Sequence, residues 1–374
     1  MTDSITHNKL TLAVICLMAS TLLLIGCGGK PRPTWVDGQS AEFPSSQYLI
    51  GLGQADSRQQ ATEQAYAAVS RIFKAEITAQ AKDWESYLVV EQRGQTSTER
   101  RLTLDNVTQV TTDKVLENVL VLDTWFDQKK RQYYALAGMN RAQAEASMVE
   151  RLNELDRTIQ TEVTDAHQAQ DKLTRVRNLK RATKNLVLRE AYNTDLRVIR
   201  SSGQGTPASF RVAELTGELE QFLASNLRLA VEMTGDQAEP VERALIEGLA
   251  REGFSMVGRD NAGAPELLIK GTVRLWSLDV KDPQFRYVRW CTDAVIEDLP
   301  ARRLIGAVSK GGKEGHITEK EAQAKAVRVM QQEFSSELAH AIAGYIYGEA
   351  ELPTSSGTPP GCPRDQAPPH PMPN

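Results

Sequence analysis

Tyr48-Leu49-Ile50-Gly51-Leu52-Gly53, with Ser57-Arg58-Gln59-Gln60 shortly after, is the stretch from which the fold is read. The first six residues are apolar or glycine, the signature of a short strand. Ser57 offers an N-cap hydroxyl, and Gln60 three residues later completes a capping box, so a helix opens there. Ala61, Ala65, Ala68, Ile72 and Phe73 keep helical spacing towards about Ala81. Their small members let the helix lie close on a sheet. Downstream, Trp84–Gln95 is strand-like, and Leu116–Phe126 and Gln132–Gly138 read as a hairpin. Its polar turn is Asp127-Gln128-Lys129-Lys130-Arg131, whose basic triplet reads as solvated rather than as a binding patch. Together these elements make residues 34–141 one α/β unit.

From Met139 to Ser202 there is neither Gly nor Pro. Met148, Leu152, Leu155, Ile159 and Val163 recur at three- and four-residue steps, as do Leu173, Val176, Leu179, Ala182 and Leu186. The whole stretch is therefore amphipathic helix. One helix of about 50 residues would span about 75 Å; two antiparallel helices are the alternative. Residues 141–171 carry three basic and seven acidic side chains, whereas residues 172–190 carry seven basic and one acidic. Opposed charge blocks suit two helices side by side, so residues 142–200 are expected as a hairpin turning near Ala166–Gln170. The basic block could instead face lipid phosphates or an anionic cell wall.

Ser201–Pro207 is a Ser/Gly-rich linker, and a second α/β unit is expected over residues 209–348. Val212–Leu223 reads as a helix and Leu227–Met233 as a strand. Asp236 and Glu239 read as the N-terminal box of a helix to Glu252, with Gly253 ending it. Strands follow at Ser255–Val257, around Leu267–Leu275, at Phe285–Glu297 and at Arg303–Ser309. Thr318 and Glu321 open a last helix to about Tyr347, with Ala324, Val327, Phe334, Leu338 and Ile342 inward. Trp276 and Trp290 fall on adjacent expected strands; they pair on the outer face of the sheet or pack against a helix. The expected class is α+β: two small α/β sandwich-type domains, helices packed on mixed or antiparallel sheets, joined by a long helical hairpin or spacer. Residues 351–374 hold eight of the sixteen prolines and little apolar bulk, the composition of a disordered tail. Pro359-Pro360 and Pro368-Pro369 offer a polyproline docking strip as the alternative.

Ahead of these units an apolar run from Leu10 ends in Leu24-Ile25-Gly26-Cys27. It is short for a membrane span, which needs about 20 apolar residues. It has instead the layout of a signal peptide, with Lys9 in the polar start and small residues at the end. Leu24–Cys27 resembles a bacterial lipobox. That resemblance implies a signal peptide over residues 1–26, cleavage between Gly26 and Cys27, and a diacylglyceryl group on the Cys27 sulfur. Residues 27–33 would then be a lipidated tether. Gly28 stands where an Asp typically retains such proteins at the inner membrane, which implies the outer membrane, with the body in the periplasm. Each buried methylene contributes about 0.8 kcal/mol, so two or three acyl chains hold a folded body at a bilayer.

The bulk composition is that of a globular chain, 41% hydrophobic and 25% charged, and a net charge of −4 gives no case for nucleic acid. Beyond Cys27 the cysteines are Cys291 and Cys362. In an oxidising compartment they could pair; the alternative is a buried Cys291 and an idle Cys362. His167, His316, His340 and His370 lack the spacing of a metal site, so no metal is expected. No Gly-x-Ser-x-Gly elbow occurs, and Gly51-Leu52-Gly53 stops short of a dinucleotide fingerprint. Gly306–Lys313 superficially resembles a phosphate loop, but Glu314 stands where Ser or Thr would hold magnesium. A loop between strand and helix is expected there. Asp293, Glu297 and Asp298 lie along one strand with no evident convergence. Trp35 reads as a core plug or as an interfacial residue near the lipid. No catalytic residue and no cofactor is expected, and the chain reads as a non-enzyme.

Pro33-Thr34-Trp35-Val36, Tyr48–Gly53, the alanine-rich helix from Ser57 and Tyr133-Tyr134-Ala135-Leu136-Ala137, in that order, resemble the LPP-20 lipoprotein family. The resemblance covers about residues 33–147. The family comprises envelope lipoproteins, and some relatives are basal-body components that help to assemble the flagellum's outer-membrane rings. The second unit, with Glu314-Gly315-His316-Ile317-Thr318 before its last helix, is similar to a fold shared by curli-export lipoproteins, the TolB amino-terminal domain and lipoprotein activators of penicillin-binding proteins. These relatives work by protein contact. The resemblances imply a lipid-anchored outer-membrane protein that acts as a non-catalytic scaffold or assembly factor for an envelope machine, flagellar or cell-wall synthetic. Its partners would be envelope proteins, with self-association open. The alternative is a ligand-binding or activator lipoprotein for cell-wall synthesis.

Overall fold

The computed structural model describes residues 31–38, 40–80, 117–258, 264–280, 282 and 284–349. The lipobox with Gly26 and Cys27, the strand expected at Trp84–Gln95, and the stretch holding Cys362 and His370 lie outside the described residues. The architecture is α+β, and no described helix is long and apolar enough to cross a membrane. Two compact units divide the chain. Among the described residues, one gathers 31–77, 117–149 and 195–205; the other gathers 78–80, 150–194 and 206–349.

In the first unit, β1 (Tyr48–Ala55), α1 (Arg58–Gln80), β2 (Leu120–Asp127) and β3 (Gln132–Asn140) form an antiparallel sheet, order β1-β3-β2, with α1 on it. The capping box is present: the Gln60 N–H donates to Ser57 Oγ at 3.2 Å. The buried stripe of α1 is Ala61, Ala65, Val69 and Phe73. Val69 takes the inward place expected of Ala68, and Ile72 is exposed, because the stripe follows four-residue steps. Gly51 and Gly53 lie directly under this stripe, backbone against backbone. Trp35, in a 3-10 turn at Thr34–Asp37, packs with Tyr134 and Leu136, whose pleat parity places them on the other face of the sheet. Its indole N–H donates to Asp123 Oδ2 at 2.9 Å, so Trp35 is a core plug. The Asp127–Arg131 turn is held by Asp127 Oδ1, which accepts from the Lys129 and Lys130 N–H groups.

The Gly- and Pro-free stretch is two helices, α2 (Arg141–Gln168) and α3 (Lys172–Ile199). Asp171 starts the second, accepting from the Thr174 hydroxyl at 2.7 Å and its N–H at 3.3 Å. The helices pair antiparallel: Arg189 meets Asp156 and, nearer the turn, Asn185 and Arg181 meet Glu162. Arg181 and Arg189 of the basic block thus pair with the acidic helix.

The second unit continues with α4 (Val212–Asn226), β4 (Arg228–Gly235), α5 (Ala238–Arg251), β5 (Ser255–Met256), β6 (Leu267–Leu278), β7 (Arg286–Asp298), β8 (Arg303–His316), α6 (Glu319–Glu333) and α7 (Ala339–Tyr347). A π-helical turn, Phe334–Leu338, joins α6 to α7. The sheet is mixed, order β5-β4-β6-β7-β8: β4 runs parallel to β5 and β6, while β6, β7 and β8 are antiparallel. One core joins its inner face to α3, α4, α5, α6 and α7 through residues such as Leu179, Leu223, Leu245, Ile269, Trp290 and Phe334.

Three further local expectations are corrected, and one alternative is decided. Asp236 does not cap α5; its carboxylate accepts the Leu275 N–H at 3.0 Å, and Gln237 at the helix start caps with no side chain. Ala322, Ala326 and Met330 face the core in α6, while Ala324 is exposed. Gly306–Lys313 is not a loop but the middle of β8, paired with β7 through Gly315. The glycines serve packing: a Cβ at Gly312 would lie 2.6 Å from Trp290 Nε1, so the indole lies flat on the strand. Trp276 and Trp290 do not pair, because the register sets Trp276 opposite Arg289 and Trp290 opposite Leu275, on opposite faces. Trp290 is the core residue of the two.

Candidate functional site

The residues suspected of chemistry are held apart. His167 bonds Glu218 at 3.0 Å, His316 bonds Glu321 at 2.8 Å and His340 lies 3.4 Å from Glu252, each beside a different carboxylate. Among the described residues no group of three or more metal-ligating side chains converges. The carboxylates of β7 are each engaged separately. Asp293 accepts from Ser309, Glu297 from Lys270 at 2.9 Å, and Asp298 from Arg303 Nε at 3.0 Å and the Ala301 N–H at 3.1 Å.

The basic block of α3 is spent inside the second unit. Lys172 bonds Glu266 at 2.9 Å, Arg175 bonds Glu218 at 3.0 Å, and Arg177 donates to the Tyr345 and Ile346 carbonyls. Lys180 stacks on Tyr347. Arg189 is fully buried, pairing with Asp156 and Glu190 and donating to the Thr206 and Pro207 carbonyls. Burial would raise the pKa of Glu266, but hydrogen bonds from Arg228 and Lys172 outweigh it and hold the carboxyl at about 2. These are structural ion pairs, and they leave little of the block to face an anionic surface.

The outer face of β6, β7 and β8 is different. Three registered rows run across it: Arg274–Cys291–Gly311, Trp276–Arg289–Lys313 and Leu278–Tyr287–Gly315. Arg289, Lys313 and Gly311 are exposed, and Trp276 and Tyr287 are half-buried. Lys313 Nζ sits 4.1 Å from the Tyr287 ring centroid, a cation–π contact. The Tyr287 hydroxyl donates to Asp282 Oδ2 at 3.0 Å. The Gln284 and Phe285 N–H groups, with that hydroxyl, hold the Asp282 carboxyl below its ordinary range. Phe285 and Ile317, at 41% and 69% exposure, extend apolar surface beyond the strand ends. Alternation within β7 could have grouped Tyr287, Arg289 and Cys291; the β8 half of the face depends on glycines that read as a loop.

Of the sequence-expected site residues, Gly26, Cys27 and Cys362 lie outside the described residues. Cys291 stands on this outer face, 8% exposed, and is disulfide-bonded. Its partner is not among the described residues.

Residues 33–140 match the model of the LPP20 lipoprotein family. No curated protein matches the chain. Among solved structures, a secreted protein of Helicobacter pylori is 17% identical, covering 79% of this chain and 97% of its own, with a TM-score of 0.39. A minor lipoprotein of Acinetobacter baumannii is 15% identical, covering 31% of this chain and 92% of its own, with a TM-score of 0.25. A lipoprotein of Neisseria meningitidis is 9% identical, covering 28% and 96%, with a TM-score of 0.19.

Proposed function

We propose that this chain is a lipoprotein of the outer membrane, anchored through Cys27, whose periplasmic body is a non-catalytic scaffold or assembly factor for an envelope machine. The observation that carries this reading is the LPP20 match over residues 33–140, directly downstream of Leu24-Ile25-Gly26-Cys27. The flagellar basal body is the machine that the family resemblance suggests.

The test is crosslinking in intact cells, capture of the tagged protein, and mass spectrometry, beside a Cys27→Ala control. Flagellar ring proteins recovered with the wild type and lost with the control would support the scaffold and name the machine. Cell-wall synthases recovered instead would make it an activator. Recovery of the same bulk lipoproteins in both samples would sink the scaffold reading.

A further inference from the structure

We propose that residues 351–374 lie across the outer face of β6, β7 and β8, joined to it by a disulfide between Cys362 and Cys291, with the prolines around Cys362 seated on Trp276 and Tyr287. Cys291 is disulfide-bonded, and no other described residue is a cysteine. The remaining cysteines of the chain are Cys16, Cys27 and Cys362. Cys16 would leave with the signal peptide and the Cys27 sulfur would carry lipid, which leaves Cys362; this exclusion rests on the lipoprotein reading above.

Chain geometry agrees. α7 packs against β8, the edge strand, with the Tyr345 ring at Gly306. Gly306 is five residues from Gly311, roughly 17 Å along a strand, and Gly311 is the register partner of Cys291. From Glu349 to Cys362 the chain has thirteen residues, a reach of roughly 43 Å when extended. That suffices to round the edge strand and arrive one strand inward. The described helices on β7 and β8 are α6 and α7, and their buried residues share the core with Val288, Trp290 and Ala294, on the face opposite Cys291.

The chemistry of the two surfaces matches. Pro359, Pro360 and Pro363 flank Cys362, and proline-rich segments dock on aromatic grooves as preformed polyproline helices at low entropic cost. Trp276 and Tyr287 supply that aromatic floor; along β8 only Lys313 crosses it, stacked on Tyr287, between the bare positions Gly311 and Gly315. Within the segment Glu351 and Asp365, against Arg364 alone, leave a slight negative balance to set beside Arg274, Arg289 and Lys313. In forming the bridge, the Cys291 and Cys362 thiols lose two protons and join sulfur to sulfur. The two electrons pass to the disulfide of an oxidising protein by thiol–disulfide exchange, leaving it a dithiol.

The experiment is peptide mapping of the full exported chain, alkylated and digested without reduction, as wild type and as Cys27→Ala. A Cys291–Cys362 linked peptide in both is expected. A Cys291–Cys27 link, a Cys291–Cys291 dimer or an alkylated Cys291 would overturn the bridge. Loss of membrane attachment in Cys27→Ala with the link retained would separate this proposal from the anchor. Hydroxyl-radical footprinting then compares the full chain with one ending at residue 350. Labelling of Trp276 and Tyr287 should rise several-fold on truncation; equal labelling would refute the seating of the tail.

Discussion

A methyl group on Gly53 would sit 1.9 Å from the Ala61 carbonyl oxygen and 2.4 Å from the Ala65 amide nitrogen. Both contacts are backbone, so no side chain can swing away, and α1 must lift from the sheet. Gly53→Ala is therefore expected to destabilise the first unit by about 3 kcal/mol, read as a lower urea midpoint with unchanged slope. At Glu266 the prediction concerns pH. Folding lowers its pKa from 4.5 to about 2, through Arg228 and Lys172 acting against burial. Its contribution is thus complete above pH 4.5 and is lost as pH falls through about 2. A shift of this size corresponds to on the order of 3 kcal/mol. Glu266→Gln should lower stability at pH 6 and flatten the fall in urea midpoint between pH 4.5 and pH 2; an unchanged acid limb would assign that fall to other carboxylates. Gly53 was legible in outline, since glycines facing an alanine stripe imply close approach. Glu266 was not, because its partners stand 38 and 94 residues away in the chain.

The helical pair shows how much of an element local pattern carries. Its apolar spacing identified helix throughout and its charge blocks favoured two helices over one, and the signal that places the turn, Asp171 ahead of Thr174, is also local. The last helix shows the limit. The capping box at Thr318 and Glu321 opens it as expected, yet the chain winds wider at Phe334–Leu338 before α7. A different helix lies close against this turn. Gly248 of α5 faces this turn, where a Cβ would lie 2.7 Å from the Ser335 carbonyl oxygen and 2.7 Å from Ala339 Cβ. Gly248→Val is expected to separate α5 from the π-helical turn and cost about 3 kcal/mol, with hydrogen exchange rising first in Ala238–Arg251 and Phe334–Tyr347. Exchange confined to α5 would mean that the π-helical turn does not depend on this contact. The misread glycines of β8 belong here too. Isolated from their partner strand they look like punctuation; against Trp290 they are a flat strand surface.

For the whole molecule the main prediction is attachment. Cys27→Ala should shift the chain from the membrane pellet to the soluble fraction, since the acyl chains on that sulfur would be its hold. Retention of the variant in the pellet after high-salt washing would place the anchor elsewhere. The basic block of α3 is not expected to compensate, because Lys172, Arg175 and Arg189 are already paired with Glu266, Glu218 and Asp156. Fractionation in low and high salt should therefore give the same result for the variant.

What the sequence determined by itself was whatever physics acts within a few residues. Apolar spacing set the helices and most strands, side-chain oxygens set the starts of α1 and α6, and a short apolar run ending at Cys27 set the expectation of a lipid anchor. Tertiary structure decided what depends on register and on distant partners. It placed Trp276 and Trp290 on opposite faces, took Asp236 from its helix to the Leu275 amide, and consumed the basic block in ion pairs. It also set Gly311, Lys313 and Gly315 of β8 beside Cys291, Arg289 and Tyr287. A strand's side chains change face with each residue, so that surface exists only once β6, β7 and β8 are in register.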